Sequence, residues 1–219
     1  MAVGRILGSR KFSLNNPICC DIIMIKSEFR ELLITKEQIE KLIIDSISVW
    51  TDIDIYVISL YVYDDCDNPC KPTVTLGYNT ENQVQLEISK GFASDEGEAR
   101  WNYAFWLQNS SFTFGKDETA ETVKKWLIAS GFPYLEDDDV SWNNEEIIEM
   151  ASNITNAFVS ILIEIVRDIH KQGLLTRKFG KELPIIIHEL EYYDEIADQN
   201  IKANGEKLAN DFAEWCLCC

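Results

Sequence analysis

The feature that most constrains this chain is an apolar pattern with helical spacing that continues for about six turns. It extends from Ile147 to Ile169 and stops before Gly173. Apolar residues three and four positions apart share one face of a helix, and Asn143 or Asn144 can cap the first turn. We therefore predict one long central helix, whose buried face holds Ile147, Ile148, Ala151, Ile154, Phe158, Ile161, Leu162, Ile165, Val166 and Ile169.

Runs of β-branched and aromatic residues predict strands in other parts of the chain. Residues 53–63 and 73–78 are two such runs, separated by a turn-forming cluster. Residues 83–89 alternate between apolar and polar side chains, which predicts a third strand after a hairpin link at residues 79–82. The short apolar run at residues 185–188 predicts an interior strand. These patterns together favour an antiparallel meander.

Capping signals predict further helices. Thr35 and Gln38 form a capping-box pattern, so we expect a helix from there to Trp50. Asp117 can cap a helix that ends at Gly131, and a last helix is expected near residues 207–215.

The fold class predicted from these elements is α+β. A mainly antiparallel sheet packs against several helices, including the long central one. The aromatic block at residues 100–107 is expected to be a short helix or a buried wedge. We expect a single domain over residues 25–219, preceded by a poorly structured extension over residues 1–24.

The charge of the chain limits its partners. It has 37 Asp and Glu residues against 20 Lys and Arg, which gives a formal net charge of −17 at pH 7. A field of this sign attracts cationic partners and repels phosphate backbones and anionic membranes. With 46% hydrophobic residues the chain still has enough apolar surface to fold. We therefore expect a folded protein with a basic partner.

The acidic residues are concentrated in residues 135–149, which contain no Lys or Arg. Such a run is either a solvated face that aids solubility or a contact surface for a cationic protein. The run also contains a tryptophan, a residue type that often anchors protein interfaces. The candidate partner-binding residues are Asp137, Asp138, Asp139, Trp142, Glu145 and Glu146.

Membrane insertion and export are not expected from this sequence. No apolar run reaches the ~18 residues of a membrane span, and residues 1–20 lack the apolar core of a secretory signal. Seven cysteines, an odd number, indicate reduced thiols and a cytoplasmic location. Cys66 and Cys70 lack the paired C-x-x-C spacing of zinc knuckles, so we expect no metal and no cofactor.

Several segments resemble a known family. They are IYVISLYVYDD, GYNTE, RWNYAFW, IIIHELEYYDEIADQNIKANG and a closing FAEW. Over residues 52–215 they resemble an uncharacterised bacterial domain family of about this length, whose members are encoded near polymorphic toxins and are suspected of being immunity proteins. The cysteine-rich ends of the chain depart from that family. The resemblance implies a toxin inhibitor that acts by protein binding.

An enzymatic alternative rests on the HELEYYDE stretch, which begins at His188. Side chains alternate along a strand, so Glu189 and Glu191 would share one face and could pair for acid/base chemistry. The stretch lacks the second histidine of the H-E-x-x-H zinc motif, and the only other histidine is His170. A small hydrolase or metal-dependent enzyme that uses this region is therefore an alternative hypothesis.

The preferred hypothesis is an immunity protein that neutralises a cognate toxin through an acidic surface. Many intracellular toxins act on RNA or DNA and need a basic cleft, so the expected partner is a basic toxin with a nuclease domain. Nucleic acid itself is not an expected partner, because the nearest basic cluster, Arg177, Lys178 and Lys181, is short. A general protein-interaction module without a toxin partner is the third hypothesis.

Overall fold

The computed structural model describes residues 17–218, with side-chain surroundings described from residue 27 onward. Most of the extension expected over residues 1–24 therefore lies outside the described residues. The described chain contains four strands, β1 (Ile55–Asp64), β2 (Pro72–Thr80), β3 (Phe112–Phe114) and β4 (Ile185–His188). Its helices are α1 (Pro17–Val49), α2 (Glu81–Lys90), α3 (Glu96–Trp101), α4 (Ala120–Ala129), α5 (Glu145–Lys171), α6 (Leu174–Phe179), α7 (Asp194–Asn204) and α8 (Glu206–Cys216).

The four strands form one mixed sheet in the order β3-β2-β1-β4. β1 pairs antiparallel with β2 and β2 antiparallel with β3, whereas β1 and β4 run parallel. The α+β fold class and the long helix are thus confirmed, and the sheet is mostly antiparallel. The parallel pair brings the carboxyl ends of β1 and β4 to the same edge, where ligands often bind in mixed sheets.

Helices cover both faces of the sheet, because its strands carry apolar side chains on both sides. On one face, Ile58 and Leu60 of β1 belong to the main core, together with Phe158 of α5 and Trp126 of α4. On the other face, Val57 belongs to a second core. The other main contributors to that second core are Trp101 of α3, Ile196 of α7 and Phe212 of α8.

The outer edge of β4 is covered by two asparagine side chains of α7 rather than by another strand. Asn200 accepts a hydrogen bond from the Ile187 nitrogen at 2.8 Å and donates one to the Ile187 oxygen at 2.7 Å. Asn204 makes the equivalent pair with Ile185, at 2.7 and 2.9 Å. β4 is therefore an edge strand that is buried on all sides, which explains its uninterrupted apolar sequence.

Three local predictions are wrong. Asp117 does not cap α4, because it lies in a separate 3-10 turn and the helix begins at Ala120. Residues 83–89 form α2 rather than a strand, because the Thr80 hydroxyl accepts a hydrogen bond from the Gln83 nitrogen and caps a helix. Thr35 does not cap a helix either. It lies inside α1, and its hydroxyl donates to the Glu31 carbonyl one turn earlier, at 3.0 Å.

Among residues 17–218, α5 is long and apolar enough to cross a membrane by length and composition alone. Its apolar residues Ile154, Phe158, Leu162 and Ile165 are fully buried in the main core. Charged residues lie in its first and last turns. α5 is therefore the central helix of the main core.

Candidate functional site

The acidic loop before α5 is fixed to the body of the protein by a buried asparagine. Asn68, which lies in the turn between β1 and β2, is fully buried. Its amide donates to the Leu135 oxygen at 3.0 Å and to Asp137 Oδ1 at 2.8 Å. Lys71 also pairs with Asp137 Oδ1, at 2.5 Å. These hydrogen bonds lower the pKa of Asp137, so this carboxylate holds the loop in place.

Trp142 fixes the other end of the loop. Its indole nitrogen donates to the Asp67 oxygen at 3.2 Å, which places the ring against the β1–β2 turn. The side chain is nevertheless 45% exposed. A tryptophan that is held by its polar atom while its ring faces solvent is well suited to contact another protein.

The first turn of α5 adds carboxylates beside this loop. Asn144 caps the helix, as predicted for Asn143 or Asn144, by accepting a hydrogen bond from the Glu146 nitrogen at 2.9 Å. Glu145 and Glu146 occupy the first turn and are exposed. Negative charge is favourable at a helix N-terminus, which allows these two carboxylates to lie together.

Further carboxylates come from the carboxyl ends of β1 and β4. Asp64 is the last residue of β1, and Glu189 directly follows β4. Burial, with smaller contributions from the nearby negative charges of Glu189 and Asp67, raises the pKa of Asp64 to about 6. Carboxylates from the β1–β2 turn and from the end of β4 therefore lie close together.

We call this surface the acidic end. It consists of Asp64, Asp65, Asp67, Asp137, Asp138, Asp139, Trp142, Glu145, Glu146 and Glu189. Lys116 pairs with Asp65 at 2.8 Å and Lys71 pairs with Asp137. The other carboxylates of the acidic end form no ion pair within the described part of the chain.

The structure places all six candidate partner-binding residues in the acidic end, but it separates their roles. Asp137 is paired inside the molecule, whereas Asp138, Asp139, Glu145 and Glu146 are exposed and pair with no cation among residues 27–218. Sequence reasoning missed Asp64 and Glu189 as parts of this surface. Their positions at the ends of two predicted strands were the available signal.

The histidine of HELEYYDE lies apart from the acidic groups of that stretch. The His188 ring is fully buried, with Nε2 at 2.8 Å from Ser59 Oγ and Nδ1 at 2.9 Å from the Glu189 carbonyl oxygen. The Glu189 carboxylate instead accepts a hydrogen bond from the Tyr193 hydroxyl at 2.9 Å. Glu191 is exposed. His188 therefore does not share a cleft with the two glutamates.

Four aromatic rings enclose His188. Tyr103 and Trp106 lie with ring centroids 4.7 and 5.4 Å away, and Tyr61 and Tyr192 at 5.6 and 6.2 Å. Burial lowers the pKa of His188 to about 4, so the imidazole is neutral at pH 7. A serine beside a neutral histidine resembles a nucleophile with its base. Ser59, however, is only 3% exposed, so no substrate reaches its hydroxyl in this arrangement.

Glu189 lines a polar cleft between α5 and α7, with a volume of about 390 Å³. Its other lining residues include Ser152, Asn156, Tyr193 and Glu195. Within residues 17–218, no group of three or more His, Cys, Asp or Glu side chains has an arrangement that could hold a metal ion. The cleft therefore extends the acidic end without adding a metal centre.

Comparisons with known proteins add no relative to this description. No protein-family model, curated protein or solved structure matches the chain.

Proposed function

We propose that this protein is a cytoplasmic immunity protein that binds and neutralises a basic toxin, with the acidic end as its contact surface. A toxin that acts on RNA or DNA needs a basic cleft to hold phosphates. An array of carboxylates fits such a cleft by replacing the phosphate charges. The sequence resemblance to a toxin-associated bacterial family supports the same proposal.

The observation that carries the proposal is the gathering of unpaired carboxylates from separate segments around an exposed tryptophan. Like charges held close together destabilise a fold through repulsion. Asp138, Asp139, Glu145 and Glu146 form no ion pair within residues 17–218 that would offset this cost. A cationic partner would supply the missing countercharge.

Exposed apolar groups in the same area favour a protein partner. Trp142 is 45% exposed and Ile148, one turn into α5, is 49% exposed. Interfaces with high affinity usually combine a few apolar anchors with a charged rim. Carboxylates around two apolar anchors therefore suit a contact with a protein better than a role in solubility alone.

The first test is co-expression with the product of the neighbouring gene. The proposal predicts that co-expression restores growth and that the two proteins purify as a complex. Absence of a complex, together with unrelieved toxicity, would contradict it.

The second test measures association rates with the purified toxin at low salt. The charge variant carries Asp138→Asn, Asp139→Asn, Glu145→Gln and Glu146→Gln, and leaves Asp137 intact because that residue holds the loop. A matched control carries Glu37→Gln, Glu206→Gln, Asp211→Asn and Glu214→Gln, four exposed carboxylates on α1 and α8. Both variants change the net charge equally.

We expect the charge variant to associate at least about ten-fold more slowly than the wild type, with a weaker dependence on salt. The control should associate at nearly the wild-type rate, since it leaves the acidic end unchanged. Equal rates for the two variants would show that only total charge matters and would exclude the acidic end as the contact surface.

A further inference from the structure

The second histidine of the chain, His170, joins three elements of the fold. It lies in the last turn of α5. Its Nδ1 is 2.9 Å from Glu182 Oε2, in the segment before β4, and its Nε2 is 3.0 Å from Asn204 Oδ1, in the last turn of α7. The side chains of His170 and Glu182 are only 16% and 33% exposed, so solvent screens this contact incompletely.

The hydrogen bonds of Asn204 fix which of its side-chain atoms faces the ring. Its oxygen accepts a hydrogen bond from the Ile185 nitrogen at 2.7 Å. Its nitrogen donates to the Ile185 oxygen at 2.9 Å and to the Asn200 oxygen at 3.1 Å. Exchanging the two atoms would place a donor against the Ile185 N–H and an acceptor against two carbonyl oxygens. Asn204 therefore presents an oxygen to His170, and this atom can only accept a hydrogen bond.

Glu182 is an acceptor as well. The Thr176 hydroxyl donates to its other carboxylate oxygen. Burial raises the pKa of Glu182, but the hydrogen bonds from Thr176 and His170 lower it by more, so the pKa lies below its ordinary value. At neutral pH Glu182 is thus a carboxylate that has no proton to donate.

Two acceptors that face one imidazole require a proton on each ring nitrogen. A neutral imidazole has one N–H, so its other nitrogen would direct a lone pair at an oxygen 2.9 or 3.0 Å away. A positive charge is also favourable in the last turn of a helix. The surroundings of His170 therefore suit the imidazolium form, whereas His188 is neutral at pH 7.

Glu182 is the carboxylate that holds the His170 ring. Other charged residues on the elements around the ring have hydrogen-bond or ion-pair partners elsewhere, namely Lys36 and Glu40 on α1, Arg167, Asp168 and Lys171 on α5, and Arg177 and Lys178 on α6. Lys181 and Lys202 are exposed and form no ion pair among residues 27–218.

We infer that His170, Glu182 and Asn204 form a pH-sensitive latch, in which the doubly protonated ring holds the end of α5 to the edge of β4. When one ring proton is lost to solvent, either a lone pair faces an oxygen or the Asn204 amide reverses. A reversed amide gives up its two hydrogen bonds to Ile185, which cover the edge of β4. The latch does not depend on the proposed toxin.

The latch should act in a defined pH range. Because the folded state favours the protonated ring, the contribution of the latch to stability is present below about pH 6.5, where histidine is ordinarily protonated. The contribution is lost as the pH rises above the range in which the ring keeps its second proton.

The variant Glu182→Gln tests the latch. Its side-chain oxygen can still accept from Thr176, while its amide nitrogen can donate to Nδ1 of a neutral ring whose Nε2–H bonds to Asn204. The second ring proton is then no longer needed. We expect the equilibrium constant for folding of the wild type, relative to that of Glu182→Gln, to fall about ten-fold between pH 6 and pH 8.5, as measured by urea denaturation.

A matched control is Glu40→Gln. It removes the same charge near the same end of α5, where Glu40 accepts a hydrogen bond from Gln172 at 2.7 Å. Its equilibrium constant relative to the wild type should change by less than about two-fold over this pH range. Other titrating groups cancel, because each variant is compared with the wild type at the same pH. A pH dependence of Glu182→Gln no different from that of the control would overturn the inference.

A second measurement uses the wild type alone. NMR of the protein with ¹⁵N-labelled histidine observes only the rings of His170 and His188. At pH 6, His170 should carry two ring protons that exchange slowly with water. The protection of the Ile185 amide against hydrogen exchange should fall as the second proton is lost. A single ring proton at every pH from 6 to 8.5, or protection of Ile185 that does not follow the ring, would contradict the latch.

Discussion

The HELEYYDE segment and the acidic end are both rich in ionisable groups, yet the fold treats them in opposite ways. His188 is enclosed by rings and hydrogen-bonded to Ser59, while Glu189 is turned away from it and Glu191 is exposed. The acidic end instead collects carboxylates from three segments and leaves most of them without a cation within residues 17–218. Concentration along the sequence is therefore a poor guide to convergence in space, because β4 ends at His188 and the loop that follows directs Glu189 and Glu191 away from the buried ring.

The largest effect on the free energy of unfolding should come from His188, the buried residue of the HELEYYDE segment. His188→Ala removes a fully buried ring that contacts four aromatic side chains and bonds to Ser59. We expect a loss of about 3 kcal/mol in the free energy of unfolding, measured by urea denaturation at pH 7. The control Glu191→Ala should change it by less than about 0.5 kcal/mol. A loss below about 1 kcal/mol for His188→Ala would mean that the ring is not a structural core element.

The next effect concerns the residue that holds the acidic loop. Asn68→Ala removes the buried amide that bonds to Leu135 and Asp137, and also the oxygen that accepts a hydrogen bond from the Cys70 nitrogen. We expect about 2 kcal/mol of destabilisation. Amide hydrogen exchange in residues 136–142 should become faster. Unchanged exchange there would show that the loop keeps its place without Asn68.

The pH dependence of stability should show two opposing contributions. The pKa of His188 is lowered from 6.5 to about 4 in the folded state, so its contribution is present above pH 6.5 and is lost as the pH falls toward 4. The pKa of Asp64 is raised from 3.8 to about 6, so the folded state gains stability from protonation of Asp64 as the pH falls through the same range. The two contributions partly cancel in the wild type.

The variant Asp64→Asn should separate the contributions of His188 and Asp64 to the pH dependence of stability. It should raise the free energy of unfolding by about 1–2 kcal/mol at pH 7, because a buried and repelled charge is removed. Between pH 6.5 and 4 it should lose stability more steeply than the wild type. Urea denaturation at four pH values measures both effects. A wild-type slope for this variant would show that the pKa of Asp64 is not raised in the folded state.

The smallest effect on the free energy of unfolding is expected from the exposed carboxylates of the acidic end. The pair Asp138→Asn and Asp139→Asn should leave the free energy of unfolding unchanged to within about 0.5 kcal/mol, because neither side chain has an ion partner in the described chain. Association with the toxin should nevertheless become slower. A clear loss of stability would show that these residues, like Asp137, hold the loop in place.

Much of the architecture could be predicted because long patterns are reliable. The stripe from Ile147 to Ile169 specified α5, and its Asn144 cap is confirmed. β1, β2 and β4 follow from their β-branched runs. The parallel pairing of β1 with β4 could not be predicted from the two strands themselves. It depends on how the helices that separate them in the sequence pack against the sheet.

Short elements with mixed signals were harder to predict. The alternation in residues 83–89 is also compatible with an amphipathic helix, and the Thr80 cap decided between the two. β3 spans only three residues, and α7 begins inside the stretch that was interpreted as a possible active site. For the candidate site, the acidic run itself was visible in the sequence. That Asp64 and Glu189 belong to the acidic end could not be predicted, because it follows from the position of β1 beside β4 in the sheet.

The asparagine pair on the edge of β4 limits how this protein can be recognised. Because Asn200 and Asn204 already occupy the backbone groups of Ile185 and Ile187, an incoming peptide cannot extend the sheet there by strand addition. The same pair guards against edge-to-edge self-association of a strand whose four residues are an apolar run and a histidine. A partner that binds at the edge of β4 must therefore recognise side chains and surface shape rather than the backbone of the strand.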